Sequence, residues 1–99
     1  MISNQRLEEL IDTTRKYGIT EKPELIVHVN DCMGMYEMLK SNEDMPDKTR
    51  QESAAIIAFY SNVLHYLIER KAEPEYRADV RRFLRRIGYL DSKRVELVK

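Results

Sequence analysis

Cysteine appears once in these 99 residues, tryptophan not at all, and glycine and proline three times each. A lone Cys32 excludes an intramolecular disulfide and fits a reducing compartment. So few turn-forming residues exclude an all-β chain. Net charge is also missing: seventeen basic and seventeen acidic residues cancel, which weighs against a chain built wholly for a polyanion. No apolar run approaches the roughly 20 residues that a membrane-spanning helix needs. The longest apolar zone, Ala54 to Ile68, is broken by Ser61, Asn62 and His65. No hydrophobic run follows Met1-Ile2-Ser3-Asn4-Gln5-Arg6, so no signal peptide is expected, and the cytoplasm is the expected location.

What remains is a helix-forming composition. The chain is 42% hydrophobic and 34% charged, too apolar for a disordered segment, and Glu and Arg dominate the charged set. Its length allows one domain with one core. The expected class is all-α: a single domain over residues 1–99, four-helix bundle-like, with a long central third helix and a short C-terminal tail.

The first helix is expected from about Asn4 to Tyr17, capped by Ser3 or Asn4 and closed by Gly18 in a left-handed conformation. Leu7, Leu10, Ile11 and Thr14 form its apolar stripe. A second helix opens at Pro23 and runs to about Lys40, with Leu25, Val29, Cys32, Tyr36 and Leu39 alternating at four and three residues, and Ile26 and Met33 on one flank. Gly34 inside it costs about 1 kcal/mol against alanine and marks a kink or a close helix crossing.

The third helix reads from about Pro46 to Ala72. Its main stripe is Ile56, Ile57, Tyr60, Val63, Leu64, Leu67 and Ile68, widened by Phe59 and Tyr66. Ala54, Ala58, Ser61, Asn62, His65 and Glu69 form the remaining small or polar strip. About 25 residues span about 38 Å, against a radius of gyration of about 13 Å for a compact domain of this size. Such a helix protrudes or packs on a second copy, so a homodimer is expected. A fourth helix from Glu73-Pro74 to Gly88 buries Tyr76, Val80, Phe83, Leu84 and Ile87. Beyond Tyr89-Leu90, Asp91 caps a last short element whose Val95, Leu97 and Val98 do not decide between helix and strand.

Charge is distributed unevenly. Residues 1–60 hold seven Lys/Arg against eleven Asp/Glu, and residues 61–99 ten against six. On the fourth helix, Arg77, Arg81, Arg82, Arg85 and Arg86 occupy the side away from its apolar stripe. Guanidiniums present planar forks that match carboxylates and phosphates, so this face reads as a docking surface for an acidic protein or a nucleic acid. It reads equally as a solvated face neutralised by acidic residues of the same chain. Met35 and Met38 fall off the second helix's core stripe and are expected to be exposed, where adaptable thioethers suit a partner surface. Core filling is the plainer reading of the wider methionine run, which includes Met33 and Met45.

His28 and Cys32 share a helical face at metal-ligand spacing, but two ligands do not make a site, and a buried inert thiol is the expected state. No phosphate loop, nucleophile turn or metalloprotease spacing is present, so neither catalytic nor metal residues are expected, and no cofactor. The opening Met1-Ile2-Ser3-Asn4-Gln5-Arg6-Leu7-Glu8-Glu9-Leu10-Ile11-Asp12 resembles the start of many small accessory proteins in prophages of enteric bacteria. That resemblance covers a dozen residues, carries no chemistry, and implies a short accessory protein acting by attachment to a host or phage component. The expected function is a small non-catalytic helical binding protein, a regulator or inhibitor docking on a larger protein. The alternative is a nucleic-acid-associated regulator contacting phosphates through the arginine face. No membrane partner is expected.

Overall fold

The computed structural model describes residues 2–89. Four helices follow one another: α1 (Asn4–Arg15), α2 (Lys22–Ser41), α3 (Asp47–Glu69) and α4 (Pro74–Arg86). The expected all-α four-helix architecture is the one observed. The expected tail element at Asp91 lies outside the described residues. Among the described residues, no helix is long and apolar enough to cross a membrane.

Local chemistry sets the helix ends. The Ser3 hydroxyl accepts from the Arg6 amide at 3.2 Å and caps α1, while Gly18 takes φ +60° just past its end. Pro23 sits in the first turn of α2 and Pro74 opens α4, where the missing amide is no loss. Pro46 stands one residue before α3, in the capping position rather than in the first turn. α3 stops at Glu69, short of the expected Ala72, because Arg70 turns left-handed at φ 60°. That conformation costs a non-glycine residue roughly 1–2 kcal/mol. Two contacts hold it: the Arg70 amide donates to the Tyr66 carbonyl at 2.9 Å, and its guanidinium lies 5.8 Å from the Tyr66 ring centre.

α2 and α3 form an antiparallel hairpin, with Lys40 near Arg50 at the joint and Tyr36 beside Tyr60 further along. α1 runs parallel to α3, because Arg6 meets Glu52 and Thr14 meets Tyr60. α4 returns antiparallel to α3 and packs against both α3 and α1. The described part measures 46 × 27 × 23 Å with a radius of gyration of 13.5 Å. α3 has 23 residues and α2 has 20, so a neighbour of nearly equal length lies beside the long helix. The length of α3 therefore needs no second copy to cover it.

The buried face of α3 differs from the stripe expected of it. Ile56, Phe59, Tyr60, Val63 and Leu67 are buried, Ile57 and Leu64 are half-buried, and Ile68 is 62% exposed. A helix apolar over most of its circumference has no unique inward side in periodicity. Here α2 covers one flank and α4 the other, and Phe59 becomes central. Asn62, read as part of the polar strip, is buried as well. Its amide donates to the Ala58 carbonyl at 2.9 Å, and its oxygen accepts the Glu73 amide at 2.8 Å. This bond ties the α3–α4 link down at the residue that precedes α4.

α2 is continuous through Gly34, and a Cβ added there meets nothing within 4 Å, so no crossing inside the fold requires the glycine. Gly34→Ala should therefore raise stability by about 0.8–1 kcal/mol, visible as a rise in thermal midpoint of several degrees. Asn62→Ala should lower it by about 1–3 kcal/mol, since a buried amide loses its acceptor, with an unchanged denaturant slope.

Candidate functional site

The five arginines of α4 do not share one fate. Arg82 and Arg86 stand on the edge of the helix that faces α1 and both reach Glu8, at 3.7 and 3.1 Å. Arg82 also donates to the Asn4 side chain at 3.1 Å, while its buried Nε finds no acceptor. Arg77 turns back on its own connection and donates from Nε to the Ala72 carbonyl at 3.0 Å. Arg81 and Arg85 occupy the middle of the outward face, exposed, and neither has an ion-pair or hydrogen-bond partner among the described residues. Internal neutralisation thus takes the α1 edge of the face, and Arg77, Arg81 and Arg85 remain as a ridge at four-residue spacing.

This partition was not readable from the sequence, because Glu8 and Arg86 are separated by 78 positions. An acid early in a helix ordinarily favours its positive end. The first turn of α1 holds no acid, and Glu8 serves α4 instead.

Met35 and Met38 are 51% and 76% exposed, as their position off the α2 stripe implied. Val27, on the same outward side, is 59% exposed. α2 lies against α3, and α4 lies against α3 and α1, so the methionines and the arginine ridge belong to separate faces. They are not brought together into one site.

The His28–Cys32 pair sits inside a polar seam. Cys32 Sγ is 3.6 Å from His28 Nε2, the Tyr60 hydroxyl interacts with both the Cys32 thiol and the Thr14 hydroxyl, and the Tyr17 ring covers His28 at 4.9 Å. Burial pushes the Cys32 thiol up and His28 down, and Asp31 only partly offsets the loss at His28. Both shifts favour neutral partners, the reverse of an activated thiolate–imidazolium pair. Burial also raises Tyr60 well above the ordinary phenol range. The seam is a way of satisfying polar groups between α1, α2 and α3. Among the described residues no three His, Cys, Asp or Glu side chains converge on a metal position.

A shallow cleft of about 570 Å³ lies between the start of α1 and the first half of α3. Three of its four charged walls engage one another, since Arg6 bridges Glu9 at 2.8 Å and Glu52 at 2.6 Å, while Lys48 joins no ion pair among the described residues. Compared with protein-family models, curated proteins and solved structures, the chain matches none. The class defined by the fold is a four-helix bundle that presents two charged or apolar outer faces.

A histidine whose folded pKa is depressed binds fewer protons than the unfolded chain, so its contribution to stability is present above its ordinary range and fades as pH falls below it. His28→Gln should therefore flatten part of the stability loss between about pH 7 and pH 5 in denaturant titrations. An unaltered pH profile would remove His28 from the acid response.

Proposed function

We propose that this chain is a small non-catalytic binding protein, an accessory regulator or inhibitor that docks on a larger protein through the outer face of α4. The observation that carries this reading is the partition of the arginines. Glu8 absorbs Arg82 and Arg86, while Arg81 and Arg85 stay exposed with no internal carboxylate, beside Arg77. Exposed arginines are enriched at interface hot spots, because a planar fork pairs with carboxylates in a fixed geometry. The apolar side of α4 is buried in its own bundle, so this face offers charge and hydrogen bonds rather than hydrophobic area.

An acidic protein surface fits this better than a nucleic acid. Three guanidiniums without a carboxylate partner, on a chain of zero net charge, neutralise few phosphates, and phosphate neutralisation supplies most non-specific nucleic-acid affinity. The exposed methionines of α2 supply a second, separate contact face. A homodimer finds no support in the length of α3, which α2 already covers.

The test is a doubly reversed ridge. Arg81→Glu with Arg85→Glu should keep the helical spectrum and stability, yet weaken capture of the partner at least about tenfold. Unchanged capture by the folded variant would dismiss the ridge. Glu8→Gln should act in the opposite direction, freeing Arg82 and Arg86, with a stability loss of no more than about 1 kcal/mol. In parallel, wild-type chain titrated with duplex and single-stranded DNA at about 50 mM salt should show no binding. Tight binding that collapses at about 200 mM would transfer the ridge to nucleic acid.

A further inference from the structure

Three of the five large hydrophobic side chains most exposed among the described residues lie on one helix: Val27, Met35 and Met38 on the outward side of α2. From Val27 to Met38 is three helical turns, about 16 Å. Between them sits Gly34, exposed and with open space around it. Nothing inside the fold needs a glycine there, and its presence weakens α2. A bare backbone midway along an apolar strip lets a second helix approach more closely than any side chain would allow.

The charges around the strip are of one sign. Glu24, Asp31 and Glu37 are exposed on the same half of α2, and none forms an ion pair among the described residues. The two lysines of α2, Lys22 and Lys40, both lie roughly 140° around the helix from Val27 at 3.6 residues per turn. The middle of the face is thus apolar, with Gly34, Val27 and Met38 inside an arc of about 40°; Asp31 and Glu24 flank it on one side, with Met35 beyond them, Glu37 flanks it on the other, and α2 places no lysine there.

We propose that the outward face of α2 is a docking surface for a cationic amphipathic helix. An apolar stripe on the incoming helix covers Val27 and Met38 across Gly34, its flanking Lys or Arg residues meet Asp31 and Glu24 on one side and Glu37 on the other, and Met35 lies at the rim of the contact. Thioethers have flexible, polarisable side chains and pack against varied apolar partners, so the surface tolerates several sequences of this pattern. A second copy of the chain does not fit. Two such faces would set identical carboxylates against one another, and the arginine helix α4 has its apolar side buried in its own core. The inference rests on the reading of the chain as a binding protein but not on the arginine ridge, and the two fail separately.

The experiment uses the full chain and three labelled peptides of about 18 residues, a length of some five turns. One has Leu on one face and Lys on the other, one has Leu and Glu, and one has the Leu/Lys composition scrambled to destroy the stripe. The Leu/Lys helix should bind with a dissociation constant on the order of 10 µM, and the other two at least about tenfold more weakly. Val27→Ser with Met38→Ser, and separately Asp31→Lys, should each weaken the Leu/Lys peptide at least about tenfold, because these exposed positions do not hold the fold. Arg81→Glu with Arg85→Glu should leave peptide binding unchanged or tighter, so failure here is distinct from failure of the ridge. Equal binding of the three peptides, or insensitivity to the α2 substitutions, would overturn the proposal. So would light scattering showing a dimer that Val27→Ser with Met38→Ser dissolves, since a second copy would then be the occupant.

Discussion

Tyr60 is the point at which the four helices meet. From the middle of α3 its hydroxyl touches Thr14 of α1 and Cys32 of α2, and its ring lies 6.5 Å from Tyr36 and 6.1 Å from Phe83 of α4. The neighbouring Phe59 meets Phe83 edge to face at 5.4 Å, the geometry that aromatic quadrupoles favour. Two adjacent residues on one helix therefore hold the other three. Because the phenol is buried, its polar end must be satisfied inside the core, and Thr14 and Cys32 do this. The seam that contains the lone thiol is explained by that requirement and calls for no reactive chemistry.

This arrangement decides which faces stay outside. With α2 on one flank of α3 and α4 on the other, each outer helix turns one side inward to the aromatic cluster and the opposite side to solvent. On α4 that outward side carries arginines, and on α2 it carries methionine, valine and carboxylates. α1 modifies the first of these surfaces. Glu8 removes two of five arginines from it and leaves a ridge of three. The uneven charge along the sequence becomes, in the fold, two surfaces of opposite sign on helices separated by α3.

How much of this was legible in the residues follows from physical range. Local features were readable: the Ser3 cap, the left-handed Gly18, the prolines at helix starts, the inward stripe of α4 and the outward position of Met35 and Met38. Each depends on neighbours within a turn or two. The orientation of α3 was not, because a helix apolar nearly all round offers several inward faces, and only the positions of α2 and α4 select the one centred on Phe59 and Tyr60. Asn62 looked like a surface residue until the α3–α4 link folded over it. The pairing of Glu8 with Arg82 and Arg86 joins the two ends of the described chain, and no pattern in composition or spacing encodes it. Val27, Gly34 and the acids beside them were each visible, but their union on one uncovered face depends on knowing which side α3 occupies.

The bundle closes around Tyr60 and leaves the outer sides of α2 and α4 free. Hydroxyl-radical footprinting of the chain alone, read residue by residue, tests this arrangement directly. Met35 and Met38 should be oxidised rapidly, Met33 more slowly, and Phe59, Tyr60 and Phe83 should stay protected until the chain is unfolded. Rapid modification of Tyr60 in the folded protein, or protection of Met38 in the monomer, would contradict this account.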